Sequence, residues 1–158
     1  MLHIVADPKD PHSKPNRIGR IRPDDVKYMW EDLKLFLETH PEWPVTVDSP
    51  DVILQRCAMG MWEPWIALGE KGEIEVLGLC VWDRHERESY YRIIYLAGSN
   101  LWRHFKAGLV EAERYVFLNG GAEIILVGRV GWKRALRRFG YTSPKEYLSK
   151  NVRRSRGH

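Results

Sequence analysis

The sequence predicts an α/β (α+β) fold with about six strands and four helices in a single domain that spans residues 1–158. Three observations lead to this prediction. Apolar residues recur at helical spacing in several segments, short β-branched runs lie between them, and the chain closes with a helix, a strand, a helix and a strand in succession. A chain of 158 residues is long enough to bury one core of useful size.

The first part of the chain is expected to contain one strand and two helices. Residues 2–5 predict a short strand, and the proline-rich residues 7–23 predict a loop. Apolar positions at helical spacing predict a helix over residues 24–40, with acidic residues in its first turn. Ser49 favours the start of a second helix over residues 50–59, because its side chain can accept a hydrogen bond from an early helical N–H group.

The remainder of the chain is expected to contain five strands and two helices. Gly120 and Gly121 end a long helix, since glycine enters the left-handed region at little cost. The run AEIILV that follows is too short for a helix and is typical of a buried strand. In chain order, the expected elements are strands over 65–68, 75–82 and 90–96, a helix over 101–118, a strand over 122–127, a helix over 132–139 and a last strand over 147–152.

Composition excludes several classes of protein. No apolar run approaches the roughly 18 residues of a membrane span, and the N-terminus lacks the features of a secretory signal. We therefore expect synthesis in the cytoplasm. Cys57 and Cys80 have no metal-ligand spacing and are expected to be reduced and buried, and His85 in a charged turn is expected at the surface, so no metal site is predicted.

Charge is distributed unevenly along the chain. Residues 129–158 contain ten basic and one acidic side chain, about +9, whereas residues 1–128 contain fifteen basic and twenty acidic ones, about −5. A basic end of this kind is suited to nucleic acid, to the phosphates of a cofactor or to an acidic protein surface. It could equally be a solvated helix face followed by a basic tail at about 153–158. The candidate partner-binding residues are Lys133, Arg134, Arg137, Arg138, Arg153, Arg154 and Arg156.

Residues 113–141, ERYVFLNGGAEIILVGRVGWKRALRRFGY, contain a Gly-Arg-x-Gly-Trp motif followed by a helix that ends in Gly-Tyr. This pattern, with three consecutive strands between helices, resembles a group of GNAT-like (GCN5-related N-acetyltransferase fold) proteins encoded by bacteriophages and prophages. The resemblance covers about residues 24–152. It implies a mixed central sheet with helices packed on its faces. Some members of this group resemble internal virion proteins of short-tailed phages.

The same resemblance identifies a candidate cofactor loop. Active GNAT enzymes bind the pyrophosphate of acetyl-CoA with a Gln/Arg-x-x-Gly-x-Gly/Ala loop, whose close-set glycines let backbone N–H groups at a helix N-terminus point at phosphate oxygens. The corresponding loop here has one glycine, and the bulky Leu101 and Trp102 stand where a small residue is usual. This departure implies an eroded phosphate site. If acetyl-CoA binds, the residues expected to hold it are Gly98, Ser99, Asn100, Arg103 and Arg129.

Catalytic residues are also expected from the resemblance. Many GNAT enzymes place a tyrosine on the last helix, four residues before the closing glycine, as the general acid that protonates the leaving thiolate. That position here is Leu136, which cannot donate a proton. Tyr141 is the candidate substitute and Glu75 the candidate base, with Asp83 or Glu86 as further bases. Each also has a structural interpretation, as a packing ring or as a strand-edge or turn charge.

Three functions follow from these observations. The favoured one is a catalytically degenerate GNAT-fold phage protein without a cofactor, which acts as a virion-associated or assembly component beside other phage proteins. It would be made in the host cytoplasm and incorporated in the virion. The alternative is an acetyl-CoA-dependent N-acetyltransferase. The second alternative is a nucleic-acid-binding protein that uses the basic C-terminal helix and tail, with affinity that falls steeply with salt.

Overall fold

The computed structural model describes residues 4–5, 16–126, 137–141 and 148–152. Its strands are β1 (Ile4–Val5), β2 (Asn16–Arg20), β3 (Glu63–Leu68), β4 (Ile74–Arg84), β5 (Ser89–Gly98), β6 (Glu123–Leu126) and β7 (Leu148–Asn151). Its α-helices are α1 (Trp30–Thr39), α2 (Pro50–Ala58) and α3 (Leu101–Leu118), and a 3₁₀ helix (Pro23–Met29) precedes α1.

One mixed sheet contains all seven of these strands, in chain order. Strands β1 to β5 pair as antiparallel neighbours, β5 and β6 are parallel, and β6 and β7 are antiparallel. Helix α3 makes the crossover between β5 and β6 that a parallel pair requires. The predicted α/β fold with a mixed central sheet is confirmed.

The helices cover both faces of the sheet, because successive strand residues point to opposite sides. On β4, Leu79 belongs to the core under α1 and α2, while the adjacent Cys80 belongs to the core under α3. The first core receives Leu33 and Phe36 of α1, and the second receives Leu109 of α3. Both cysteines are buried and unpaired. Cys80 therefore lies in the layer of the core that α3 covers.

The prediction of a loop over residues 7–23 is wrong for its second half. Strand β2 pairs with β3 from Arg17 opposite Leu68 to Arg20 opposite Trp65. Its sequence NRIGR contains one large apolar residue, Ile18, which is buried. The strand therefore depends on pairing with a distant segment, and its own residues have no period-2 apolar pattern that would predict it.

The described residues contain three α-helices where the sequence predicts four. The predicted fourth helix, over residues 132–139, lies mostly outside the described residues, and its end forms a 3₁₀ turn at Arg137–Phe139. The predicted helix over residues 24–40 begins as the 3₁₀ helix and becomes α-helical at Trp30. None of the helices in the described part of the chain is long and apolar enough to cross a membrane.

Candidate functional site

Strands β5 and β6 pair over only part of β5. Their parallel ladder extends from Tyr90 to Ile93 on β5, whereas β5 continues to Gly98 and β6 ends at Leu126. Ile94 is an extra residue in the pairing with β4, because Ile93 faces Cys80 and Tyr95 faces Leu79. Within the described ranges, no strand lies beside residues 94–98 on the β6 side. Among the described strands, residues 94–98 thus have no β6 partner, and their backbone groups could pair with an extended, amide-containing molecule.

The open edge ends in a loop at the start of α3. Gly98 has φ +142°, and a Cβ there would overlap the carbonyl oxygen of Glu75, so only glycine fits. Asn100 is left-handed, with φ 53° and ψ 32°, and stands at the N-cap position of α3 without a side-chain capping hydrogen bond. A left-handed residue followed by helical ones turns successive N–H groups to one side, and the first N–H groups of a helix have no intrahelical acceptor. The loop has the backbone geometry of an anion site.

Glu75 connects this loop to the sheet. It is the extra residue where the β3–β4 register shifts, between the pairs Ala67–Val76 and Leu68–Ile74. Its carbonyl accepts a hydrogen bond from the Ser99 amide at 2.8 Å, and its Oε2 accepts one from Asn100 Nδ2 at 2.8 Å. The Asn100 hydrogen bond lowers the pKa of Glu75. The described structure thus assigns Glu75 to loop support through two hydrogen bonds.

His104 completes this buried network. Its Nε2 lies 3.4 Å from Oε2 of Glu75, and the two residues are 4% and 6% exposed. Room for the carboxylate comes from Gly69, since a Cβ there would overlap Glu75 Oε1. Sequence reasoning missed His104, although a polar residue on the buried face of α3, one turn after Asn100, indicates a buried partner.

The two bulky residues after the loop, Leu101 and Trp102, have different surroundings. Leu101 packs against the core under α3. Trp102 is 59% exposed, and its ring contacts Phe105 with centroids 5.2 Å apart. Packing in the core accounts for Leu101, and the exposed Trp102 ring stays at the start of α3, so the eroded phosphate site remains a prediction.

The other residues expected to bind the cofactor differ in whether they have a hydrogen-bond donor available for it. The Ser99 amide is already bonded to Glu75, so it does not face a ligand. Arg103 lies on the first turn of α3, is half-exposed and pairs loosely with Glu70 at 3.8 Å. Arg129 lies outside the described residues. The backbone at Asn100 and the Arg103 side chain are therefore the described donors nearest to the predicted pyrophosphate position.

The candidate acid and the further candidate bases lie elsewhere. Tyr141 is 1% exposed within the core under α3, and burial raises the pKa of its hydroxyl well above the usual value. Asp83 pairs with Arg92 at 3.1 Å near the end of β4, and Glu86 is exposed in the following turn. That turn is about 30 Å from Gly98, because ten residues of β5 separate them at about 3.3 Å each.

The basic candidates are only partly described. Arg137 and Arg138 are exposed, and Lys133, Arg134, Arg153, Arg154 and Arg156 lie outside the described residues. No group of three or more His, Cys, Asp or Glu side chains that could hold a metal ion occurs in the part of the chain that the structure describes.

Comparison with known proteins gives structural neighbours only. No family profile matches the chain. A search of curated proteins also finds no match. Aminoglycoside 6'-acetyltransferase type Ii superposes with a TM-score of 0.65 at 13% identity, covering 85% of this chain and 96% of that one.

Two further solved structures are similar. A predicted acetyltransferase from Clostridium acetobutylicum, solved with acetyl-CoA, gives a TM-score of 0.58 at 14% identity, covering 90% of this chain and 99% of that one. A GCN5-related N-acetyltransferase from Ralstonia eutropha gives 0.58 at 16% identity, covering 83% and 95%. The chain therefore has the fold of GNAT acetyltransferases, as the sequence predicts.

Proposed function

We propose that this chain is an acetyl-CoA-dependent N-acetyltransferase. One observation carries the proposal: the open edge of β5 over residues 94–98 leads directly into a loop whose left-handed Asn100 presents the N-terminus of α3. The neighbouring acetyltransferases, one of them solved with acetyl-CoA, support this function over that of a degenerate binding component.

The residues present fit this cofactor. Acetyl-CoA is a long molecule with a pyrophosphate near one end, two amides along its arm and a thioester at the other end. The N–H groups at the start of α3, with Arg103 beside them, would hold the pyrophosphate. The open edge of β5 would pair with the amides as a neighbouring strand does. Gly98 keeps the join between these two parts free of a side chain.

Acetyl-CoA supplies an activated acyl group, and the acceptor is an amine. The contribution of the chain is to hold the thioester arm parallel to β5, so that transfer becomes effectively unimolecular. The extra residue Ile94 lies where β5 and β6 stop pairing, so the arm would reach the separation point of the two strands. We place the reacting end of the cofactor there.

Calorimetric titration with acetyl-CoA tests this function. The wild type should show saturable binding, and release of free thiol in the presence of a panel of primary amines should identify an acceptor class. Gly98→Ala should abolish the binding, because the new Cβ overlaps the Glu75 carbonyl. Gly120→Ala is the matched control: Gly120 also has positive φ, 77°, but lies at the far end of α3 with open space around it. A folded wild type that gives no heat at millimolar acetyl-CoA would exclude the proposal.

Nucleic-acid binding is kept as a second candidate because Arg137 and Arg138 are exposed at the basic end of the chain. A gel shift at low salt tests it, and an unshifted probe would count against it. A place in a phage virion beside assembly proteins stays a prediction.

A further inference from the structure

A second pocket, of about 310 Å³, lies beside the C-terminal half of α3. It is separate from the cofactor loop, because α3 rises about 1.5 Å per residue and Tyr115 is therefore about 20 Å from Leu101. Its volume is within the range of small-molecule sites. The lining residues used below are Arg20, Arg22, Trp65, Glu111, Arg114 and Tyr115.

The aromatic part of the pocket is held in place by hydrogen bonds. Tyr115 donates its hydroxyl proton to Glu63 Oε2 at 2.6 Å, and Trp65 Nε1 donates to the Tyr91 hydroxyl at 2.7 Å. The rings of Trp65 and Tyr115 meet edge to face, with centroids 5.6 Å apart. Burial and the contact with Glu63 raise the pKa of Tyr115 to about 12, so its hydroxyl remains a donor at neutral pH. The pocket thus offers two pre-oriented ring surfaces.

The charged part of the pocket is predominantly basic. Arg20 pairs with Glu63 at 3.1 Å, and its guanidinium lies 4.7 Å from the centroid of the Tyr115 ring. This pair offsets the charge of the half-buried Glu63 carboxylate beside the pocket. The remaining rim contains the exposed Arg22 and Arg114 against the single acid Glu111. The rim therefore has a net positive charge directly beside the aromatic rings.

We infer that this pocket binds a small aromatic oxyanion, with its ring against Trp65 and Tyr115 and its carboxylate or phosphate on Arg22 and Arg114. Guanidinium groups match both kinds of oxyanion with paired N–H donors. The aromatic rings supply apolar contact area that a free inorganic anion would not use. This inference does not depend on acetyl-CoA binding, since the two sites share no residue.

Calorimetry on the full-length chain with four probes tests the inference. Phenyl phosphate and benzoate carry both features, inorganic phosphate carries only the anion, and phenol carries only the ring. Phenyl phosphate or benzoate should bind at least tenfold more tightly than inorganic phosphate and phenol. Equal affinity for inorganic phosphate would reduce the site to non-specific charge attraction and overturn the inference. Competition with acetyl-CoA for the same site would also overturn it.

Variants at the rim locate the binding. Arg114→Gln and Arg22→Gln should each weaken the preferred probe about tenfold, whereas Arg87→Gln, an exposed arginine in the β4–β5 turn, should leave it within twofold. Leu118 also lines the pocket and is 69% exposed, so charge can be added there without disturbing the core. Leu118→Lys should strengthen binding and Leu118→Glu should weaken it. The assignment would be refuted if none of the four substitutions at Arg22, Arg114 and Leu118 changed the affinity.

Discussion

Substitutions at Asn100 test how the cofactor loop is held in place, because this residue combines a left-handed backbone with a hydrogen bond to a buried carboxylate. Asn100→Gly keeps the left-handed conformation and removes only the hydrogen bond to Glu75. Asn100→Ala removes both. Comparison of the two variants therefore separates the side-chain contribution from the backbone contribution.

The expected magnitudes follow from this geometry. A hydrogen bond to a charged group contributes about 1.5 to 3 kcal/mol, so Asn100→Gly should lower the free energy of unfolding by that amount. A left-handed alanine costs about 1 kcal/mol more than glycine, so Asn100→Ala should lower the free energy of unfolding by about 2.5 to 4 kcal/mol. Both should weaken acetyl-CoA binding, since the N–H groups of the loop would no longer be pre-oriented.

Urea denaturation of four proteins completes the test: wild type, Asn100→Gly, Glu75→Gln and the double variant. In the Glu75→Gln background, Asn100→Gly should cost at least about 1 kcal/mol less than in the wild type, because the charged acceptor is already absent. Equal costs in the two backgrounds would refute the reasoning that the carboxylate holds the loop. A loss of stability without any loss of acetyl-CoA affinity would contradict the link between loop order and the cofactor.

Three further predictions concern the described core and loop. The pKa of Glu75 is lowered in the folded chain, so its carboxylate stabilises the fold fully above the unfolded-state pKa of about 4.5. This contribution is lost as the pH falls through the lower folded-state pKa. In urea titrations, Glu75→Gln should therefore cost less stability at pH 3 than at pH 7. Gly108→Ala should raise the free energy of unfolding by about 1 kcal/mol in the same assay, because a Cβ there enters open space in the middle of α3; Gly121→Ala, whose Cβ would overlap the Val116 side chain, should lower it. Burial raises the pKa of Cys57 to about 12 and that of Cys80 further, so neither thiol should react with Ellman's reagent at pH 8 until the chain unfolds; rapid reaction of the folded protein would contradict the burial.

Elements with strong local signals are predicted correctly from the sequence. Helix α3 has the predicted bounds, because its apolar stripe begins after a turn and stops at paired glycines. Helix α2 begins after Ser49, whose side chain accepts the Val52 amide at 3.3 Å, as the capping prediction requires. These features depend on residues within one or two turns of each other.

Features that depend on distant pairing are not predicted. The role of Glu75 arises from an extra residue in β4, and that position is determined by the register with β3 rather than by neighbouring residues. The same holds for β2, which is recognisable only once β3 lies beside it. The exposure of Trp102, at 59%, is likewise set by how α3 packs on the sheet and does not follow from the size of its side chain.

The extra residue Ile94 limits where residues can be inserted or deleted in this chain. Ile93 packs in the layer under α3, while Ile94 and Tyr95 both pack in the layer under α1 and α2, so β5 exchanges its two sides at this position. Deleting one residue here would swap the surroundings of Leu96 and Ala97. Relatives with this arrangement should therefore differ in length at the exposed hairpin tip, residues 85–88, and should keep the count from Ser89 to Gly98 constant.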